Sequence, residues 1–340
     1  MKKVFIDGSA GTTGLRIRER LAARKDVSVV ALAEDVRKDP AARRAALNAA
    51  DVAFLCLPDA AAVEAVQMVE NPQTVVIDTS TAHRTADGWE YGFPELAGRR
   101  ERLAHAKRIA NPGCHASGFV ALVEPLVRAG VLPRDARLCA FSLTGYSGGG
   151  KKMIAEYEAV EGCALRGESS AALHPPSLAP QLSTGNPQLL LGGRQYALGQ
   201  AHKHLPEMTK VCGLAFAPCF SPVVVPHYSG MEVTVQLAAS QLAPQGPGSA
   251  LARLRDVYRA AYGQGGLVRF VEEPAAAEGG FLSSEALSGR DTMEVSVCGN
   301  EERILLVSRF DNLGKGASGA AIQNMNLVLG CAEDEGLVIS

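Results

Sequence analysis

The segment Asn111-Pro-Gly-Cys114-His-Ala-Ser-Gly118 sets one cysteine directly behind a Pro-Gly turn, on what reads as the first turn of a helix. The unpaired N–H groups and positive dipole end of a helix N-terminus stabilise an anion, so a thiol there is expected to ionise nearer neutral pH than a free cysteine. Taken alone, a cysteine after a turn is more often a buried structural residue. Cys114 is not alone, because the chain opens with a dinucleotide-type glycine loop and carries the pair His202-Lys-His204 in its second half. A thiol nucleophile, a hydride carrier and an imidazole make one chemistry: reduction, or its reverse, through a thioester.

The glycine loop is Gly8-Ser9-Ala-Gly11-Thr12-Thr13-Gly14, between an apolar strand and a helical pattern. Glycines let backbone turn tightly and approach a diphosphate, and the helix start supplies N–H groups to it. The spacing is G-x-x-G-x-x-G rather than G-x-G-x-x-G, so the flanking strand and helix, more than the glycines, carry the assignment. Beyond the second strand, Glu34 or Asp35 would accept from an adenosine ribose hydroxyl and favour NAD, whereas Arg37 and Lys38 would meet a 2′-phosphate and favour NADP. This segment alone leaves the two open.

Asp78-Thr-Ser80-Thr-Ala-His-Arg84 follows another apolar strand, so its polar side chains are expected at the carboxyl edge of the sheet, where such folds bind ligands. Ser80 is assigned there to the cofactor, and the forked guanidinium of Arg84 to a phosphate or carboxylate. Asn111 is taken as a substrate contact. Ser142-Leu-Thr-Gly-Tyr-Ser147-Gly148-Gly-Gly-Lys151 brings small residues and a cation behind a strand; Ser147 and Gly148 fit the nicotinamide end, and Lys151 an anionic substrate. Imidazole titrates near neutrality, so His202 or His204 can move a proton on and off a reacting oxygen. A metal reading of the pair lacks a third ligand of suitable spacing. Pro206 marks a helix start just beyond, which favours His204 as the more rigidly held of the two.

These residues need a frame. The 340 residues are 47% hydrophobic, enough for two domains with full cores. In the first hundred residues, apolar strands near Val4–Ile6, Val27–Leu32, Val52–Leu57 and Val75–Ile77 alternate with helical patterns. That alternation predicts a doubly wound parallel sheet of Rossmann type. After the Cys114 helix, strands are expected at Leu138–Leu143, Val223–Val225, Met231–Leu237 and Ile304–Val307, with a long irregular stretch from Pro175 to Gly193 and a last helix at Ser318–Leu329 packing back on the first domain. This describes an α+β second domain. A net charge of -2 without charge runs argues against nucleic acid and membrane surfaces, so a small-molecule partner is expected. The eight cysteines have no zinc spacing. With no export signal and no membrane span read from the chain, a cytoplasmic location is expected.

In this order the motifs resemble the short-form N-acetyl-γ-glutamyl-phosphate reductases of arginine biosynthesis. The resemblance runs through Gly8–Gly14, Leu55-Cys-Leu-Pro-Asp59, Ile77–Arg84, Tyr91-Gly-Phe-Pro-Glu-Leu96, Asn111–Cys114, Gly145–Lys151, His202–Glu207 and Asp311-Asn-Leu-Gly-Lys-Gly-Ala-Ser-Gly319. It implies NADP(H) as cofactor, an acyl-phosphate substrate, Cys114 as nucleophile and Asn312 near the nicotinamide. It also implies a homo-oligomer with the semialdehyde dehydrogenase fold: a cofactor domain of residues 1–113 and 314–340 and a catalytic domain of 114–313. The Pro175–Gly193 stretch is long for the short form. Alternative readings are aspartate-semialdehyde dehydrogenase, an aminoadipate-type homologue, or a non-catalytic dinucleotide sensor with an inert Cys114.

Overall fold

The computed structural model describes residues 1–165, 187–244, 248–275 and 278–340. The first half is a six-stranded parallel sheet in the order β2-β1-β3-β4-β6-β5. Its strands are β1 (Lys2–Asp7), β2 (Val27–Val30), β3 (Val52–Leu55), β4 (Val75–Asp78), β5 (Glu90–Tyr91) and β6 (Arg108–Ala110). Strands β3 and β4 are apolar and buried at nearly every position, as a sheet covered on both faces requires. On one face lie α2 (Pro40–Ala49) and α3 (Asp59–Gln67), whose Leu47, Ala62 and Ala65 pack on Phe5, Ala53 and Leu55. On the other lie α1 (Thr12–Ala22), α4 (Arg99–His105) and the last helix of the chain. The strand order reverses between β1 and β3, which opens a crevice at their carboxyl ends.

The chain leaves this sheet at Ala110, turns through Asn111-Pro112-Gly113 and enters α5 (Cys114–Arg128). Beyond it come β7 (Cys139–Gly145), α6 (Gly150–Leu165), β8 (Arg194–Gln195), α7 (Leu205–Cys212), β9 (Cys219–Val225), β10 (Met231–Ala238), α8 (Ala250–Tyr262), β11 (Val268–Phe270), β12 (Met293–Gly299) and β13 (Arg303–Phe310). The strands form a mixed sheet in the order β11-β12-β13-β10-β7-β9-β8. Helices α5 and α8 cover one face of it and share a core with β10, β12 and β13. After β13 a π-helical turn at Gly314–Ser318 leads into α9 (Gly319–Leu329), whose Ala321, Ile322 and Met325 complete the core beside α1 on the parallel sheet.

The expected doubly wound sheet, α+β second half and returning helix are all present. Helices α4, α6 and α8 and strands β5, β6, β8, β11 and β12 are additions to the expected elements. Most of the Pro175–Gly193 stretch lies outside the described residues; within the remainder, Pro187–Leu190 forms one 3₁₀ turn. Among the described residues no helix is long and apolar enough to cross a membrane.

Helix α5 is buried at almost every position, and at Gly118 it lies directly on the mixed sheet. A Cβ there would stand 2.6 Å from Ser308 Oγ, 2.6 Å from Val233 Cγ2 and 2.8 Å from Phe310 Cε1. Alanine is the better helix former, but overpacking outweighs that gain in a helix held on all sides. Gly118→Ala is therefore expected to destabilise the protein by about 1–3 kcal/mol in urea unfolding. An unchanged or raised midpoint would show that the interface gives way.

Candidate active site

A cleft of about 740 Å³ opens where the carboxyl ends of the parallel strands face the mixed sheet. Its floor is the glycine loop. Gly8 takes φ +87°, and a Cβ there would run into the carbonyl of Cys56 on the neighbouring strand end. At Gly14 a Cβ would lie 2.5 Å from Gly8 O, so only glycine lets α1 begin so close to the loop. No side chain caps α1 and no acidic residue occupies its first turn. A glycine-lined, uncapped helix start facing a cleft fits a diphosphate. Gly11, Thr12, Thr13 and Gly14 line the cleft; Gly8 and Ser9 instead shape the turn behind it.

The opposite wall carries the thiol. Cys114 is the first residue of α5, with Gly113 as its uncapped N-cap. The turn before it is fixed from three directions by Glu207 of α7. One carboxylate oxygen accepts from Gly113 N–H (2.8 Å) and from the Tyr91 hydroxyl (2.8 Å), and the other from Arg84 Nη1 (3.1 Å). Arg84 also donates to the carbonyls of Asn111 (2.9 Å) and Thr79 (3.0 Å). Gly113 carries no Cβ because Arg84 and His204 Nε2 lie where one would stand. On its other side Cys114 meets the π turn: a Cβ on Gly316 would be 3.1 Å from Cys114 Cβ.

The expectation of a readily ionised thiol is corrected here. Crowding by the cleft walls pushes Cys114 above its ordinary pKa, and the opposing pull of the His115 N–H, Arg84 and Lys203 is smaller. The imidazoles move the other way. Burial takes His204 well below the usual histidine value, aided by the charge on Arg84, and takes His202 down to about 4. Both are neutral at neutral pH. His204 stands at the N-cap position of α7 and is buried, whereas His202 is half-buried and its Nδ1 accepts from His204 N–H (3.1 Å).

The remaining candidates divide. Ser80 lines the cleft with its hydroxyl on Asp78 (2.7 Å). Ser147 and Gly148 line it too, and Asn312 Nδ2 donates to Ser147 Oγ (3.0 Å) while Asn312 Oδ1 accepts from Gly230 N–H (3.0 Å). Asn111 lines the cleft but spends its amide on Ala317 O (3.0 Å). Lys151 is exposed at the start of α6 and is not part of the cleft wall, because α6 turns Met153 inward instead. Arg37 and Lys38 lie outside that wall as well, in the loop after β2, where Arg37 pairs with Glu34 (2.7 Å). The two rival signals for cofactor choice thus contact each other.

Four residues escaped the sequence reading as site members. Lys203, between the two histidines, and Arg194, on β8, put positive charge on the cleft wall. His115 bridges Ser142 Oγ (2.8 Å) and Tyr196 OH (2.6 Å), and burial holds its pKa down to about 3. Glu207 is the fourth; its one visible signal was an acidic residue beside Pro206 in the first turn of a helix.

Residues 3–106 match the family described as semialdehyde dehydrogenase, NAD binding domain, and residues 180–312 match semialdehyde dehydrogenase, dimerisation domain. An N-acetyl-gamma-glutamyl-phosphate reductase of Brucella ovis is 44% identical over 332 residues, covering 96% of this chain and 99% of that protein. One from Burkholderia ambifaria is 42% identical over 336 residues, covering 97% and 96%. Among solved structures, aspartate semialdehyde dehydrogenase II of Vibrio cholerae superposes with a TM-score of 0.69 at 17% identity, covering 97% of this chain and 98% of that one. At that identity the likeness is one of fold.

Glu207 generates a prediction. Glu207→Gln removes the counter-charge of Arg84 and loosens the Gly113 turn. The rate of Cys114 alkylation is expected to change and kcat to fall by roughly 10²-fold, the scale of a misplaced reacting group, while dinucleotide binding on the parallel sheet is retained. Wild-type alkylation and kcat in the folded variant would remove Glu207 from this role.

Proposed function

This chain belongs to the N-acetyl-γ-glutamyl-phosphate reductase family, and on that premise we propose how its residues divide the work. The enzyme reduces N-acetyl-γ-glutamyl phosphate to N-acetylglutamate semialdehyde and releases phosphate, a step of arginine biosynthesis. The observation that carries the mechanism is the shared turn: Cys114 follows Gly113 at an uncapped helix start, and His204 packs against the same glycine.

A carboxylate resists hydride, so the substrate arrives activated as an acyl phosphate. Cys114 attacks the acyl carbon and phosphate leaves, giving a thioester. Because burial keeps the thiol protonated, attack needs a base at hand. His204, held neutral by the same burial, takes the proton and has it available for the oxygen anion that follows. The uncapped N–H groups of α5 face that oxygen. A nicotinamide dinucleotide bound on the glycine loop would supply hydride to the thioester carbon; the C–S bond then breaks, which frees the aldehyde and returns a proton to Cys114. Gly11 to Gly14 would hold its diphosphate, and Ser80, Ser147, Gly148 and Asn312 its nicotinamide end. Lys203 and Arg194 take the anionic groups of the substrate, where sequence reading had placed Lys151; Arg84 acts as a buttress of the nucleophile turn as well as a cation on the wall.

NADP(H) is the cofactor in this reading, supported by the family resemblance and by a structural neighbour from Candida albicans solved with NADP. The division into residues 1–113 with 314–340 and residues 114–313 belongs to the same reading. A homo-oligomer does too, supported by the dimerisation-domain match. So does a cytoplasmic setting, with which the free cysteines are compatible.

Four experiments test these assignments. Offered NADPH with N-acetyl-γ-glutamyl phosphate or with aspartyl phosphate, the enzyme is expected to show the higher kcat/KM on the former. Cys114→Ser abolishes that turnover while NADPH still binds, and near-wild-type activity in the variant would end the thioester route. His204→Asn is expected to lower kcat by ~10²-fold or more, and His202→Asn chiefly to raise KM. The reverse pattern would exchange the two roles. Replacing Arg37 and Lys38 by Ala lowers the NADPH/NADH ratio of kcat/KM; an unchanged ratio means the 2′-phosphate is held elsewhere.

A further inference from the structure

Cys139 and Cys219 are the first residues of β7 and β9, and their Cα atoms are direct partners in the parallel register. The residues that follow them, Ala140 and Phe220, are buried in the core. Pleat alternation therefore sends both cysteines to the opposite, outer face of the mixed sheet, where both are exposed. There the two side chains stand side by side on neighbouring strands. Neighbouring strands lie about 4.8 Å apart, inside the Cα separation of about 4.4–6.8 Å that a disulfide spans. Among the described residues no other two cysteines are partners in strand register.

The location separates this pair from the reaction. Strand β7 runs roughly 20 Å from Cys139 before its far end delivers Ser147 to the cleft. Cys114 faces the cleft, and Cys212 is buried in the core. Cys139 and Cys219 take no part in the chemistry derived above, yet they are a solvent-facing dithiol.

We propose that Cys139 and Cys219 form a modification site that exchanges with low-molecular-weight disulfides and closes into a reversible cross-strand bridge. One thiolate attacks a sulfur of the small disulfide, forming a mixed disulfide and releasing one small thiolate. The second cysteine, as thiolate, then attacks the protein sulfur of that adduct and expels the second small thiolate. Two protein thiols are oxidised, one small disulfide is reduced to two thiols, and the protons pass from protein sulfur to small thiolate. A dithiol reductant reverses both steps.

The test uses full-length protein carrying Cys114→Ser, so that the cleft thiol cannot react, with oxidised glutathione as probe. After incubation, denaturation, alkylation and peptide mapping, the expected result is the loss of two alkylatable thiols per chain. A peptide linked through Cys139 and Cys219 should appear, and dithiothreitol should restore both thiols. Adding Cys139→Ser should leave Cys219 as a single glutathione adduct, and adding Cys219→Ser the converse. With Cys114 intact, either serine variant keeps its reductase activity. Recovery of both cysteines as free thiols, as when a second chain covers this face, would overturn the proposal. So would their recovery as two separate adducts without a linked peptide.

Discussion

The site depends on one buried carboxylate. Glu207 takes hydrogen bonds from a backbone N–H before the nucleophile, a tyrosine at the edge of the parallel sheet and an arginine behind the β4 loop. Each donor is itself buried or nearly so, and the carboxylate is almost wholly removed from water. Burying a charge in this way is costly unless every lone pair is satisfied, and breaking such a pair typically costs about 3–5 kcal/mol. Because all three donors belong to the parallel-sheet half and Glu207 to α7 of the other, the same contacts that offset that cost also fix the Asn-Pro-Gly turn against α7. His204, three residues before Glu207, is thereby held against Gly113, so acid/base group and nucleophile share one anchor.

That burial explains why simple reading of a helix N-terminus gives the wrong sign for the thiol. The dipole and the His115 N–H do favour a thiolate, and so do Arg84 and Lys203, but exclusion of water opposes all of them and is the larger influence. The resting site is therefore a thiol beside neutral imidazoles rather than a thiolate–imidazolium pair. An acyl phosphate brings its own negative charge, which the cations on the wall can meet. Proton transfer to His204 is then needed only as sulfur attacks, a protection for a nucleophile that must wait for substrate.

What was legible in the sequence follows from where each signal is stored. The parallel sheet announces itself through short β-branched runs between helical patterns, and the glycine loop through its position between β1 and α1. Pro206 correctly marks the start of α7. Helix α8 carried Leu254, Tyr258 and Tyr262 at i, i+4 and i+8, and β12 alternated Met293, Val295 and Val297 with polar residues, so both were readable but passed over. Contacts across long separations were not readable. Nothing local says that Glu207 reaches Gly113 or that Gly316 backs onto Cys114. Lys151 failed for a related reason: a cation near a glycine run reaches a ligand only if the helix phase points it inward, and α6 presents Met153 instead.

The return of the chain to the parallel sheet is a structural requirement of the same site. Asp311 closes the end of β13 by accepting from the N–H groups of Leu313 (2.6 Å) and Gly314 (3.1 Å), which tightens the π turn. Lys315, almost fully buried, then crosses to Glu95 (2.7 and 2.9 Å) and lies over the Phe93 ring at 4.8 Å. A buried lysine is tolerable only when so paired, and its partner belongs to the loop after β5. Asp291, from the segment before β12, is gripped by Arg20 of α1 and by Val338 N–H (2.8 Å). These polar ties are stringent in geometry, as apolar packing alone is not, so they set how α9 and the π turn seat. Gly316 inherits that placement and forms the back wall of Cys114. The nucleophile is thus bounded by a turn anchored from α7 on one side and by a segment anchored from the parallel sheet on the other.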